Sequence, residues 1–197
     1  MNNTSNVTNT HNGHGFVDLG LPSGTLWATC NVGATSPEQA GLYFAFGETT
    51  GYSAEQVKKG ERSFDFGSYD ASSISDNLTL EQDAAHVNLG EDWRVPSKEQ
   101  FEELTENCDV TWIADFNGTD ISGLLFTSKI NGNSLFFPAV GYCYRSSVYC
   151  LYSDGYYRSA SWDSSSYAWG LYFDSGSHYM VNDLRCCGCS VRGVCKR

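Results

Sequence analysis

The sequence predicts an α+β domain in which two helices pack on an antiparallel sheet, with irregular insertions between the elements. Three observations carry this reading. Two capping-box motifs, Thr79-Leu-Glu-Gln82 and Ser97-Lys-Glu-Gln100, sit close together in mid-chain. In such a box the hydroxyl and the third side chain satisfy orphan backbone amides at a helix start. From Val110 onward no helical period persists, and Tyr-, Phe- and Val-rich runs alternate with Gly, Ser and Asp, as strands and turns do. Asn131-Gly132, between two apolar runs, is a strong hairpin turn.

Taken in order, residues 1–14 read as a flexible polar leader. Its first ten residues, Met1 to Thr10, have neither the basic start nor the apolar core of a secretory signal peptide. Residues 15–197 then form one domain. Phe16 to Leu19 is a short strand before the Pro22-Ser-Gly24 turn, and Thr25 to Val32 is a second. Residues 47–78, rich in Gly, Ser and Asp, read as a long irregular insertion. The first helix exposes an Ala84, Ala85, Asn88 stripe and stops at Gly90. The second buries Phe101, Leu104 and Cys108 at i, i+3 and i+7. Between them Trp93-Arg-Val-Pro96 is extended, because a residue before proline avoids the helical region. Strands follow at Leu124–Lys129, Leu135–Val140, Tyr156–Ser161, Tyr167–Phe173, His178–Val181 and Ser190–Cys195.

Composition excludes several function classes. A net charge of -11 argues against nucleic acid, whose phosphates need clustered Lys and Arg. The same charge is repelled by anionic lipid, and no apolar run reaches bilayer length, so no membrane insertion is expected. Six of the eight cysteines lie after residue 140, and Cys186, Cys187 and Cys189 crowd into four positions. Adjacent cysteines rarely bridge, and the spacing lacks the paired knuckles and histidines of a zinc site. Mostly free thiols and no cofactor or metal are expected.

Several segments together resemble one bacterial family. They are Val17-Asp-Leu-Gly-Leu-Pro-Ser-Gly-Thr-Leu-Trp27, Ala28-Thr-Cys-Asn-Val-Gly33, Asp83-Ala-Ala-His86, Trp93-Arg-Val-Pro-Ser97, Phe136-Phe-Pro-Ala139 and Ser190-Val-Arg192. In this order they resemble the Fibrobacter succinogenes major paralogous domain, a C-type-lectin-like group related to the formylglycine-generating-enzyme fold. The resemblance spans roughly residues 15 to 196 and implies a C-type lectin fold. It also implies that the strand at Ser190–Cys195 lies beside Phe16–Leu19. The same fold carries the variable proteins of diversity-generating retroelements, which rewrite adenines so that AAY codons scatter to other NNY codons.

The C-terminal third has the composition this would leave. From Ile130 to Cys195 there is no Lys, Glu or Gln, against eighteen in the first 129 residues; at ordinary usage about nine would be expected. All three residues need codons ending in a purine. Nine of the twelve tyrosines lie between Tyr142 and Tyr179. Strand preference for Tyr, Ser and Val is the bland alternative. Tyr supplies large, low-entropy contacts and Ser, Gly and Asp adaptable hydrogen bonds, as in antibody paratopes.

Residues 142–189 are therefore expected to be a diversified ligand-binding region. The candidate contact residues are Tyr142, Tyr144, Tyr149, Tyr152, Asp154, Tyr156, Tyr157, Arg158, Asp163, Tyr167, Gly170, Tyr172, Asp174, His178, Tyr179, Val181, Asp183, Leu184, Cys186 and Cys187. Ala168, Trp169, Leu171 and Phe173 read as core, with Arg185, Gly188, Ser190, Val191 and Arg192 as further scaffold. Where Arg158 stands the family usually has Trp, so Arg158 is either part of the contact surface or a tolerated loss of a packing residue. Cys150, Cys186 and Cys187 are expected to be freely substitutable.

The partner expected is a protein or glycan on a cell surface, with the chain displayed on a virion or a cell. The alternatives are a non-catalytic structural or carbohydrate-binding paralogous domain and, behind it, an enzyme of the formylglycine-generating type. Catalysis would need a cysteine pair in a defined cleft, and these cysteines fall in the unpatterned region. Val181-Asn182-Asp183 resembles a lectin calcium triplet, but calcium needs six to eight oxygens that this pair cannot supply.

Overall fold

The computed structural model describes residues 9–90 and 92–197. The early strands are β1 (Asn9–His11), β2 (His14–Asp18), β3 (Thr25–Ala28) and β4 (Tyr43–Phe44). After the helical middle come β5 (Cys108–Ile113), β6 (Gly123–Ser128), β7 (Ser134–Pro138), β8 (Tyr142–Tyr144) and β9 (Ser147–Tyr149). The chain ends with β10 (Gly155–Trp162), β11 (Tyr167–Phe173), β12 (His178–Leu184), β13 (Cys189–Ser190) and β14 (Val194–Lys196). The helices are α1 (Ala54–Lys58), α2 (Ala84–Leu89) and α3 (Lys98–Asn107). No helix among the described residues is long and apolar enough to cross a membrane.

Strand makes up 37% of the structure and helix 14%. This corrects the expected α+β layering of two helices on one sheet in the C-type lectin manner. Among the described residues the fold is β-rich, with four sheets ordered β1-β2-β3-β14, β12-β11-β10-β13-β4, β5-β6-β7 and β8-β9. The reason lies in what a capping box specifies, which is a helix start and not its length. The box at Thr79 and Gln82 forms, but it heads only a 3-10 turn at Leu80–Gln82. Asp83 then caps afresh, accepting from the His86 amide, and α2 ends at Gly90 with φ 109°. Ala84 and Ala85, expected to be exposed, are buried there.

The box at Ser97 and Gln100 opens α3, the longest helix among the described residues, which buries Phe101 and Leu104. Cys108 is not its last apolar residue but the first residue of β5. Within the expected irregular insertion a third box, Ser53 with Gln56, starts α1.

Turn chemistry also places the hairpins. Asn12 and Gly13 both take positive φ, 50° and 79°, between β1 and β2. That is the requirement of a two-residue type I′ turn. Residues 9–14 of the expected leader are thus sheet structure, and residues 1–8 lie outside the described residues. Asn131-Gly132 instead sits in a longer loop between β6 and β7, where the Asn131 side-chain amide donates to the Asp18 carbonyl at 2.9 Å. The expected strand Ser190–Cys195 is split between two sheets. Its second half, β14, pairs with β3, so β3 separates it from β2.

One aromatic cluster joins these sheets. Trp27 of β3, Phe101 of α3, Phe126 and Phe137 of β6 and β7, and Tyr157, Leu171 and Phe173 of β10 and β11 pack together. Trp27, Phe101 and Phe137 have ring centroids 5.3 to 6.5 Å apart. Beside this cluster Arg192 is fully buried. Its Nε donates to Asn31 Oδ1 at 2.9 Å. Its Nη1 donates to the carbonyls of Ala28 at 3.1 Å and Thr29 at 2.6 Å, and Nη2 to Phe136 at 3.1 Å.

Those four acceptors lose their donor together if Arg192 is truncated, and each buried unsatisfied group costs about 1–3 kcal/mol. Arg192→Ala is expected to destabilise by about 3–5 kcal/mol. Arg192→Lys is expected to cost nearly as much, because an ammonium lacks the planar fork. Urea denaturation of both variants checks this; a loss below about 1 kcal/mol would show that the buried guanidinium is not a structural hub.

Candidate functional site

Successive residues of a strand point to opposite faces, so β10, β11 and β12 divide their side chains between core and exterior. On the inner face Tyr157, Leu171 and Phe173 enter the aromatic cluster. On the outer face Tyr156, Tyr172 and Tyr179 stand directly opposite one another across the three strands. Their ring centroids are 5.0 Å apart at both steps. The hairpin β8-β9 continues the row. Tyr142 and Tyr149 are cross-strand partners with rings 5.5 Å apart, and Tyr142 lies 4.6 Å from Tyr156.

Two glycines stand where the hairpin meets β10. Gly141 and Gly155 form a parallel bridge, and the Gly141 amide donates to the Asp154 carbonyl at 2.8 Å. A Cβ at Gly141, where φ is 65°, would overlap the Tyr149 carbonyl, and one at Gly155 would overlap the Phe173 ring. The result is a continuous strip of five tyrosines, Tyr149-Tyr142-Tyr156-Tyr172-Tyr179. Tyr149 and Tyr179 at its ends are 43% and 52% exposed, and the three between are half-buried.

Two carboxylates flank the strip. The Tyr172 hydroxyl lies 2.9 Å from Asp174 Oδ2 and 3.3 Å from Asp154 Oδ2. Asp174 Oδ1 accepts from the amides of Gly176 and Ser177, closing the β11-β12 turn. These amides, then the Tyr172 hydroxyl, hold Asp174 below the usual carboxylate range. Burial, then the Asp174 contact, pushes Tyr172 up, and burial raises Tyr142 and Tyr156. The strip therefore offers neutral phenols beside negative charge.

The other expected contact residues divide into four groups. Val181 and Asp183 share the outer face of β12 and are half-buried. Asp183 accepts from the Leu184 amide at 2.7 Å. Tyr152, Asp163, Tyr167 and His178 lie off the strip. Tyr152 is in the β9-β10 connection, and Asp163 accepts from the Asn182 amide at 3.3 Å. Tyr167 and His178 belong to the inner parity of their strands but are exposed at the strand ends. Tyr144 and Leu184 pack against the cluster around Phe64 and Cys143.

Five expected contacts are buried, which is a correction. Tyr157, 1% exposed, follows Tyr156 by one residue and so points inward, accepting from Asn31 at 3.1 Å and donating to the Pro138 carbonyl at 3.0 Å. Arg158 has the outer parity but is only 3% exposed, because the 184–189 segment folds over it. Its Nη2 donates to the Leu184 and Cys187 carbonyls, both at 3.0 Å, and reaches Cys189 Sγ at 3.1 Å. Arg158 is thus neither a surface contact nor a lost packing residue, since its own side chain packs here. Gly170 lies opposite Arg158, where a Cβ would meet the Tyr157 carbonyl at 2.7 Å. Cys186 and Cys187 are buried beside the same arginine. Trp169, expected as core, is half-buried, with Lys98 Nζ 3.9 Å from its ring centre.

A family model described as a domain of unknown function (DUF8237) matches residues 103–194, a little less than half of the chain. The matched span runs from α3 to β14 and contains the whole strip. No curated protein and no solved structure matches the chain.

Six of the eight thiols are buried, while Cys30 is half-buried and Cys150 exposed. Burial pushes Cys189 up to about 12, and Cys143 higher still. The Cys186 contact and burial raise Cys187, while that same contact lowers Cys186, which has no solvent exposure. No group of three or more His, Cys, Asp or Glu among the described residues is arranged to hold a metal.

A concavity of about 950 Å³ lies elsewhere, between the β1-β2-β3-β14 sheet and the β6-β7 loop. It is lined by Asn9, Phe16, Phe116, Asn131, Asn133 and Phe136, among others, and by none of the expected contacts. Sequence reasoning missed it, because its walls come from segments far apart in the chain. The strip is a sheet face rather than a hollow, so cavity size is a poor guide to it; its ring continuity and exposure are the stronger evidence.

The two faces should separate by substitution. Tyr157→Ala is expected to cost about 3–5 kcal/mol, and Tyr179→Ala to change stability by no more than about 0.5 kcal/mol. Similar losses in thermal melts would show that the assigned faces are wrong. Cys150→Ser should be neutral, whereas Cys189→Ser, which buries a hydroxyl, should cost about 1–3 kcal/mol.

Proposed function

We propose that the chain is a non-catalytic recognition protein that presents a hypervariable surface, the tyrosine strip and its acidic flanks, to a protein or glycan on a cell surface. The observation that carries this is the continuity of five tyrosine rings across two sheets, with exposed ends. Aromatic side chains dominate binding hot spots because they bury large areas at small entropic cost. The absence of Lys, Glu and Gln from Ile130 to Cys195 supports diversification by a retroelement acting on AAY codons. Display on a virion or a cell belongs to the same proposal. The raised thiols of Cys143, Cys187 and Cys189 and the inaccessibility of Cys186 support a binding role over thiol catalysis.

A second reading, a non-catalytic carbohydrate-binding domain without diversification, draws on the cleft, whose neutral amides and Phe rings suit uncharged sugars. Sequencing the gene and its flanks from many isolates separates the two. The proposed function expects a near-identical template repeat beside a reverse-transcriptase gene. It expects replacements at Tyr142, Tyr149, Tyr156, Tyr172 and Tyr179, with Tyr157, Arg158 and Arg192 retained. Replacements spread evenly over buried and exposed positions, with no template repeat, would defeat it.

A further inference from the structure

We infer that the strip receives an extended basic segment of a partner protein, with arginine or lysine side chains over the tyrosine rings and their charges against Asp154 and Asp174. This rests on the strip being the binding surface and adds the chemistry of its partner.

The first support is charge. Asp154 and Asp174 face Tyr172 and enter no ion pair among the described residues. The arginines nearest in sequence do not answer them. Arg158 and Arg185 are buried and donate to backbone carbonyls, and Arg145 at the β8-β9 tip lies over Tyr144, off the strip. Residues 130–195 contain no lysine. Asp183, whose charge also bears on Tyr142, adds to the same field. A cation near an aromatic face is attracted to it within about 6 Å of the ring centre, and here the rings and carboxylates adjoin.

The second support is shape. Neighbouring centroids 4.6 to 5.5 Å apart make a strip of at most about 20 Å, crossing five strands at about 4.8 Å each. An extended chain advances about 3.3 Å per residue, so roughly six residues would span it. A single small cation would use one or two rings and leave the others idle. A neutral glycan would stack on the rings but leave the two carboxylates uncompensated.

Random-sequence heptapeptides displayed on phage and selected on the full chain test this, with each clone re-measured on Tyr156→Ala and on Asp154→Asn/Asp174→Asn. Asn keeps the one oxygen that accepts from the Gly176 and Ser177 amides and removes the charge, while the Tyr172 hydroxyl must turn to accept from the new amide. Clones that lose binding to Tyr156→Ala are expected to be enriched in Arg and Lys, and to bind the double Asn variant at least ten-fold more weakly. If Tyr156→Ala melts below the parent, Tyr179→Ala at the exposed edge replaces it. Strip-dependent clones without basic residues, or indifferent to the Asn pair, would overturn the basic partner and leave the strip as the binding surface. Recovery only of clones that bind the Tyr variants as well as the parent would overturn both. Neutral glycans on an array that bind the parent and not Tyr156→Ala, with no basic peptide selected, would also overturn the basic partner.

Discussion

The buried Arg192 guanidinium is the interaction around which the sheets are arranged. It bonds to Asn31 and to carbonyls after β3 and within β7, and its central carbon lies 4.6 Å from the Phe137 ring centre. Asn31 in turn donates to Tyr157 of β10, whose hydroxyl reaches Pro138. A charge so buried has no carboxylate partner; backbone dipoles solvate it instead. Such an arrangement is tolerated because its hydrogen bonds offset the several kcal/mol that an unmatched buried charge costs. It follows that β3, β7 and β10 are held in one relative position. The faces of β10, and of the strands paired with it, are thereby set.

Arg158 and Arg185 repeat the device. Arg185 donates to Tyr69, Ser165 and Ile74 and lies over Phe46. Each arginine fastens a loop that lacks regular backbone pairing, using the planar fork that lysine does not have. The segment 184–189 is therefore a cover over one end of the β10-β11-β12 face rather than part of its exposed surface. The tyrosine strip occupies the end left open.

Tyrosine serves two purposes in adjacent positions. Tyr156 and Tyr157 differ by one step of the strand period and so by a complete change of environment, from half-exposed strip to fully buried core. An exposed row can neighbour a buried core in the chain because the period separates them in space. The bridge between Gly141 and Gly155 adds the second condition, a backbone junction at which rings of two sheets touch.

Local chemistry alone determined a good deal of this molecule. Ser97 with Gln100 announced α3, apolar runs announced β6, β7, β10, β11 and β12, and the crowding of tyrosine between 142 and 179 marked the region that holds the strip. Such features are read within a few residues. The Asn12-Gly13 turn and the Ser53 box were equally legible and simply lay inside segments taken as irregular. Helix length was not legible, because it depends on where the next segment must pack. Nor was the burial of Arg158, Cys186 and Cys187, since parity places a side chain on a face but does not say what covers that face. Only the tertiary structure decided that, by folding residues 184–189 over Arg158, a contact made across nearly thirty residues of chain.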